Sequence, residues 1–558
     1  MRRSNFFLLL IVILLASTTA EGQKRGKSKN KELVVTEIAP RKLVVGIVVD
    51  QMRYDYLTRF WDHYGDGGFK RLVEQGFSCK NHHFNYMPTK TAPGHASIYT
   101  GTTPAMHGIL ANWWYDRNLD ETIYCVSDSE QKSLGTDSKA GKMSPKRMLV
   151  STVTDELRVS TQMKAKTIGV AIKDRGAVLP IGYTGNSAYW FEGDSLGNWI
   201  SSSYYMEELP EWVSSFNASD SAEKYKRIWS TLKSIDEYGE SGKDDRKYER
   251  IFKGEVSSTF PHDLPKIWDL NDQFSMLRET PFGNSLTTDF ALAAIEGENL
   301  GVDTTTDFLT VSYSSTDYVG HAYGVYSKEV QDTYLRLDKD LERLLDFLDN
   351  RIGAGSYTVF LTADHGAPPA PGHLMELGLP GGFVHELSIF EDLKKYVSYR
   401  YGTSDIVKNV SNFQVFLDEA VINNLDISTK DIQMDIAEKL LENDEIEQVF
   451  TKYHMFNDQS GTQLAALVQK GFNQKRSGDV LFVLKAGYIP KRKWGTDHGS
   501  SYAYDTHVPL LFYGNGVKKG ETLHRTEVSD IAPTLSAMLG IAFPSGTTGT
   551  PIVDLLKE

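Results

Sequence analysis

The chain has 558 residues, 40% of them hydrophobic and 24% charged, which is the balance of a folded globular protein and not of a disordered one. Its formal net charge of -13 excludes the basic footprint of a nucleic-acid binder. It does not exclude an anionic substrate, because bound metal ions can dominate the local field.

The chain opens with Arg2 and Arg3, an apolar run from Phe6 to Leu15, and the small residues Thr18-Thr19-Ala20. This is the layout of a secretory signal, and the run is too short to span a bilayer. Residues 1–20 are expected to be removed on export to the periplasm or the medium. No later segment is apolar for long enough to anchor the mature chain in a membrane. Residues 21–40 are Lys-rich and aperiodic, a flexible start to a domain expected to run from 41 to 558. The two cysteines, Cys79 and Cys125, could pair in an oxidising compartment or stay as buried thiols, and their spacing does not choose.

Leu43 to Val49 is a continuous β-branched run, as a strand buried on both faces should be. It ends at Asp50, and ligands of open α/β sheets sit beyond the carboxyl ends of the strands. A plainer role for Asp50 is to cap the next segment. Gly67 to Gly76 reads as a short helix. Thr91 follows in Thr91-Ala-Pro-Gly-His, with Pro93 suited to a first helical turn. A threonine there is either an N-cap or a nucleophile at a helix N-terminus, where the dipole favours an anion. As a nucleophile it needs a base or a metal ion to take its proton, and no near neighbour in sequence does that. Asn112 stands beside Trp113 and Trp114, serving either backbone groups or a substrate.

Met143 to Val159 reads as helical and Thr167 to Ile172 as a buried strand. Lys173-Asp-Arg175 continues it, and cations at i and i+2 of an extended segment face the same way; the alternative is a solvated charged turn. Residues about 185 to 280 are rich in Ser, Tyr, Trp and charge, with no buried-strand run, and are read as an insertion over the active face. Phe282 to Asn299 is a helix and Asp307 to Tyr313 a strand, followed by Asp317 and His321 four residues apart. Ser327 to Asp349 has one apolar face at helical spacing. Tyr357 to Thr362 is a strand running into Asp364-His365-Gly366, with a Pro/Gly-rich loop to Gly382. Residues about 383 to 475, including an amphipathic stretch from Asp426 to Leu441, are read as a second insertion. Val480 to Leu484 is a strand, Asp497-His498-Gly499 follows, Val508 to Tyr513 is a last buried strand, and Asp530 to Leu539 closes the chain as a helix.

Zinc takes imidazole nitrogen and carboxylate oxygen, and keeps an open position in catalytic sites. Asp317 with His321, Asp364 with His365, and His498 each offer such donors, and most of these positions follow buried strands. A lone Asp-His dipeptide is weak evidence, but the joint pattern is harder to obtain by accident.

Taken together, Thr91 in Thr-Ala-Pro-Gly-His, Asn112, Lys173 and Arg175, Asp317 with His321, Asp364-His365-Gly366 and Asp497-His498-Gly499 give a chain that resembles the alkaline phosphatase superfamily. It looks most like the exported phosphate-irrepressible alkaline phosphatases, relatives of the nucleotide pyrophosphatase/phosphodiesterases. The resemblance implies an α/β three-layer sandwich, a central, mostly parallel sheet flanked by helices with inserted cap segments. It implies two zinc ions, one held by Asp317, His321 and His498, the other by Asp50, Asp364, His365 and the Thr91 oxygen. Asn112, Lys173 and Arg175 would hold the non-bridging oxygens of a small phosphate monoester, and Thr91 would pass through a phosphothreonine. The Lys-x-Arg pair points to the monoesterase branch. Acidic ligands for a third site have no counterpart, so no magnesium requirement is expected. An alkaline optimum and a monomer are expected. His82, His83, His95, His107 and His373 match no ligand position and are read as structural; Arg53 has no assigned role. The competing expectations are a phosphodiesterase on the same scaffold and a non-catalytic zinc-binding surface protein. The latter is disfavoured because structural zinc sites prefer Cys-rich sets.

Overall fold

Ten strands form the sheet that positions everything else, in the order Gly520–Glu527, Phe77–His83, Leu510–Gly514, Tyr357–Thr362, Leu43–Val49, Asp307–Tyr313, Thr167–Ala171, Ser187–Glu192, Asn198–Ser202, Ser133–Leu134. The computed structural model describes residues 41–193, 195–457 and 461–556. The expected signal segment 1–20 and flexible start 21–40 lie outside them. Among the described residues, no helix is long and apolar enough to cross a membrane.

The five strands from Tyr357–Thr362 to Ser187–Glu192 are parallel to one another, and antiparallel partners flank them on both sides. All seven residues of Leu43–Val49 are buried, as helices on both faces of a parallel sheet demand. The sheet is thus parallel at its centre and mixed at its margins. Gly46 is required in the central strand, because a Cβ there would stand 2.5 Å from the Tyr99 hydroxyl and 2.7 Å from the Phe360 ring. Register fixes the site: Val49 lies level with Tyr313, Val48 with Thr362, and Ser312 with Ala171. The chain therefore leaves four neighbouring strands at one edge of the sheet, and Asp50, Asp364 and Lys173 are delivered there together.

Several elements differ from their sequence expectations. The helix expected over Met143 to Val159 spans only Val153–Ser160. Thr152 and Asp155 form a capping box that starts it late. Residues 185 to 280 do contain buried strands: Ser187–Glu192 and Asn198–Ser202 belong to the main sheet. Their Tyr, Trp and Phe are good strand formers that an aliphatic template passes over. The second segment carries its own four-stranded sheet of Val407–Ser411, Gln414–Leu417, Val480–Leu484 and Ile446–Thr451. It therefore extends past the expected boundary near 475. Helices Glu386–Tyr401 and Thr429–Leu441 pack with it around a separate apolar cluster. Cys79 and Cys125 are both buried free thiols, and burial pushes the Cys79 thiol up to about 12.

Candidate active site

Asp50 follows the central strand and is fully buried. Gln51, next to it, adopts a left-handed φ of 65°, which turns its backbone N–H onto Asp364 Oδ1 at 3.2 Å and its side-chain amide onto Asp317 Oδ1 at 2.6 Å. One residue thereby ties two acidic segments together. Gly320 makes room for it, since a Cβ at 320 would come within 1.9 Å of Gln51 Oε1. Sequence reasoning missed Gln51. The glycine inside helix Ser315–Tyr323 was the available signal, because an interior helical glycine marks a close approach.

Asp317 and His321 sit one turn apart on that helix, with His321 Nε2 3.1 Å from Asp317 Oδ1. Ligand atoms of Asp317, His321 and His498 lie within 4.8 Å of one another, as do those of Asp50, Asp317 and His365. The three histidines share an orientation. Nδ1 of His321 faces Thr496 O at 2.7 Å, Nδ1 of His498 faces Thr89 O at 2.7 Å, and Nδ1 of His365 faces Gly366 O at 3.0 Å. At His498 and His365 a proton on Nδ1 donates to the carbonyl and leaves Nε2 as a lone-pair donor, whereas His321 Nδ1 also has a donor, Arg492 Nη1, at 2.6 Å. Burial pushes His365 down to about 4 and His498 well below its ordinary value, so both imidazoles are neutral. Asp364 lies with Oδ2 3.6 Å from His365 Nε2. That oxygen and Asp50 Oδ1 are buried without hydrogen-bond partners. Burial, then the Asp50 charge, pushes the Asp364 carboxyl well up. Inward-facing imidazole nitrogens beside orphaned carboxylate oxygens fit a divalent ion such as zinc.

Thr91 is the first residue of helix Thr91–Thr100, and its buried Oγ1 stands 3.4 Å from His365 Nε2. Asn112 accepts the Ala92 N–H on Oδ1 at 2.9 Å, which fixes the amide and leaves Nδ2 to donate. His95, by contrast, uses both ring nitrogens, on Thr91 O and Ser312 Oγ at 2.9 Å each. It buttresses the helix from behind.

Lys173 and Arg175 are not arranged as an extended pair. Lys173 immediately precedes helix Asp174–Ile181 without capping it, and Arg175 lies in its first turn, so the two side chains diverge. Lys173 Nζ reaches Asp50 Oδ2 at 2.6 Å and Asp317 Oδ2 at 2.5 Å. Burial alone would lower that ammonium, but Asp317 and Asp50 outweigh it and hold it above its ordinary value. Arg175 instead donates to the Tyr124 hydroxyl at 3.0 Å, and its buried Nε has no partner. Lys173, Arg175, Arg278 and Tyr318 line a cavity of about 320 Å³. Tyr318, also unanticipated, presents its ring 4.9 Å from Lys173 Nζ. The other histidines lie elsewhere: His82 bonds Thr526 and His107 bonds Ser97, His83 stacks on His507, and His373 packs against Tyr326. Arg53 pairs with Asp55 at 2.7 Å and donates to Ala367 O.

The chain is similar to known proteins over nearly its whole length. Alkaline phosphatase PhoV of Synechococcus elongatus is 45% identical, over 97% of this chain and 97% of its own length. A protein of Myroides odoratus named calcium-transporting ATPase is 43% identical, over 93% of this chain and 95% of its own. The crystal structure of alkaline phosphatase PafA superposes with a TM-score of 0.89 at 41% identity, covering 93% of this chain and 99% of that one. Residues 44–508, which contain all the side chains gathered above, match the sequence family described as type I phosphodiesterase / nucleotide pyrophosphatase, and the chain belongs to that family.

Proposed function

We propose that the chain is an exported alkaline phosphatase that hydrolyses small phosphate monoesters through a phosphothreonine on Thr91, with two zinc ions and no required magnesium. The observation that carries this reading is the convergence of Thr91 Oγ1, His365 Nε2 and the Asp50 and Asp317 carboxylates at one sheet edge. Asp317, His321 and His498 would hold one ion; Asp50, Asp364, His365 and the Thr91 oxygen would hold the other. Such ions, when bound, lower the pKa of a coordinated hydroxyl and offset charge on the attacking and leaving oxygens.

The chain's own residues do the rest. The Thr91 oxygen forms a bond to phosphorus while the ester P–O bond breaks, and the leaving oxygen departs as the alcohol after taking a proton. Water then cleaves the Thr91 ester, releases inorganic phosphate and returns the hydroxyl. The N-terminal end of helix Thr91–Thr100 favours the negative charge that gathers there. Asn112 Nδ2 is free to donate to a non-bridging oxygen. Lys173 and Arg175 supply positive charge against a dianion, with Arg able to grip two oxygens at once. A diester carries one charge fewer and gains less from them, which supports the monoester assignment. Export rests on residues 1–20 alone.

The family's name favours a second reading, a phosphodiesterase on the same scaffold. The transport half of the Myroides relative's name has no counterpart among the described residues, where no helix is long and apolar enough to cross a membrane. Hydrolysis of p-nitrophenyl phosphate and bis-p-nitrophenyl phosphate, with zinc measured on the same protein, tests the assignment. The monoester should be preferred by orders of magnitude, with zinc restoring a chelated sample in the absence of magnesium. A preference for the diester would replace this reading with the second one, and full activity in metal-free protein would end both.

A further inference from the structure

A larger groove of about 640 Å³ opens beside the 320 Å³ cavity, and the two share Tyr124, Met143, Asp174 and Arg175. Chain adjacency joins it to the site twice. Asn112 faces the Thr91 helix while Trp113, next along, lines the groove; Lys173 sits among the carboxylates while Arg175 lines both spaces. Trp113 is 54% exposed, and its ring lies 4.5 Å from that of Tyr124.

The wall charges are uneven. Lys139, Lys142, Lys146, Arg147 and Arg175 face Glu121, Asp128 and Asp174. Lys146 is neutralised by Asp128 at 2.5 Å, and Arg147 donates to Ser127 O. Asp174 is engaged by the Tyr124 hydroxyl at 2.5 Å. Lys139 and Lys142 have no carboxylate within ion-pair reach among the described residues, and Arg175 keeps its buried Nε unpartnered. Five cations against three carboxylates leave the wall net positive, with Arg175 4.0 Å from Asp174, and on a chain of net charge -13 that is the reverse of what its composition would put there by default. Fixed cations lining a concave surface concentrate anions within it.

We propose that this groove binds a second anionic group, a phosphate or a carboxylate, carried on the part of the substrate beyond the reacting phosphoryl group. The preferred substrates are then multiply anionic esters. Arg175 stands where the two anions meet, and Lys139 and Lys142 take the outer one. This inference rests on the monoesterase reading and adds a substrate class to it.

The test uses the full, metal-loaded protein and three related esters: glycerol 3-phosphate, 3-phosphoglycerate and 2,3-bisphosphoglycerate. The parent protein should show kcat/KM rising along that series. The double variant Lys139→Ala/Lys142→Ala should lose about tenfold on 2,3-bisphosphoglycerate, near the upper end of what two exposed charges supply. Glycerol 3-phosphate and p-nitrophenyl phosphate should change by less than about twofold, since neither reaches the outer wall. Added salt should flatten the series in the parent, because exposed charges are screened. Equal effects on all three esters, or an unchanged preference in the variant, would overturn the groove assignment and leave the monoesterase standing. Failure of the parent to hydrolyse any monoester would instead overturn the reading beneath it, and this inference with it.

Discussion

Two buried clusters in this molecule are built from the same residue types and put to opposite use. At the sheet edge, His321, His365 and His498 turn Nδ1 to backbone carbonyls and aim Nε2 among Asp50, Asp317 and Asp364. Within the segment 185–280, His262 sits with Nδ1 3.1 Å from Glu255 and Nε2 3.7 Å from Glu329, boxed by the rings of Trp229, Phe252, Phe260 and Tyr323. Burial pushes His365 down to about 4. Burial would do the same to His262, but Glu255 and Glu329 outweigh it and lift it to about 9. Burial favours the neutral, lone-pair-bearing form of His365 and His498, and Glu255 and Glu329 favour the charged form of His262. The groups facing the ring nitrogens differ: in the second cluster Glu255 meets Nδ1 at hydrogen-bond distance, while Glu329, 3.7 Å from Nε2, keeps both oxygens without hydrogen-bond partners.

The sharpest way to break that contrast is at Thr91. Thr91→Ala should lower kcat by about 10⁴-fold or more, as removal of one member of a nucleophilic unit does, while zinc content and thermal unfolding stay near the parent's. Retained turnover would reduce Thr91 to the opening residue of its helix. Next in size is Lys173→Ala with Arg175→Ala. Monoester kcat/KM should fall by about 10²–10³-fold, the usual cost of removing charge stabilisation at a reacting group, and diester hydrolysis by much less. Equal losses would mean that the pair does not discriminate by substrate charge.

A smaller effect tests the unanticipated residue. Gly320→Ala places a methyl 1.9 Å from Gln51 Oε1 and should push Gln51 off Asp317. Loss of such an outer support typically costs about 10–100-fold in metal affinity. Alanine also favours the helix by about 1 kcal/mol, so folding should not suffer. Zinc affinity measured by competition with a chelator should therefore drop without a fall in melting temperature. Unchanged affinity would show that Gln51 does not orient Asp317.

These residues also mark what could be read from the chain alone. Asp50, Asp364 and Lys173 were legible because each ends a run of aliphatic residues, and strand ends predict where ligands gather. The spacing of Asp317 and His321 was legible because one helical turn separates them. Gln51 was not, because its role depends on a left-handed backbone and on a partner 266 positions away. The divergence of Lys173 and Arg175 depends on where a helix starts, and boundaries are weakly encoded. Strand Phe77–His83 mixes Ser, Lys, Asn and His, and strand Gly520–Glu527 is largely exposed. Neither offers the apolar run that exposes a central strand.

The mildest prediction concerns the second cluster and turns on sign. His262 has a folded value near 9 against about 6.5 for the unfolded chain. Its ion pair therefore stabilises fully below about 6.5 and is lost as pH rises through about 9. Glu249, pushed up to about 9 by burial and then by Glu329, adds a loss of the same sign, since its ionisation works against folding above its unfolded value. The parent should thus lose stability between neutral and alkaline pH. His262→Gln removes the cation and should cost about 2 kcal/mol near pH 6, the worth of hydrogen bonds to charged groups. The gap between parent and variant should narrow steadily across that window and nearly close by pH 9.5, roughly where the linkage ends. Calorimetric unfolding of both proteins at several pH values reads this directly, with kcat at a fixed alkaline pH unchanged because no reacting atom is touched. A gap that does not vary with pH would mean that His262 is neutral in the fold. The two clusters would then differ in position and not in the charge their histidines carry.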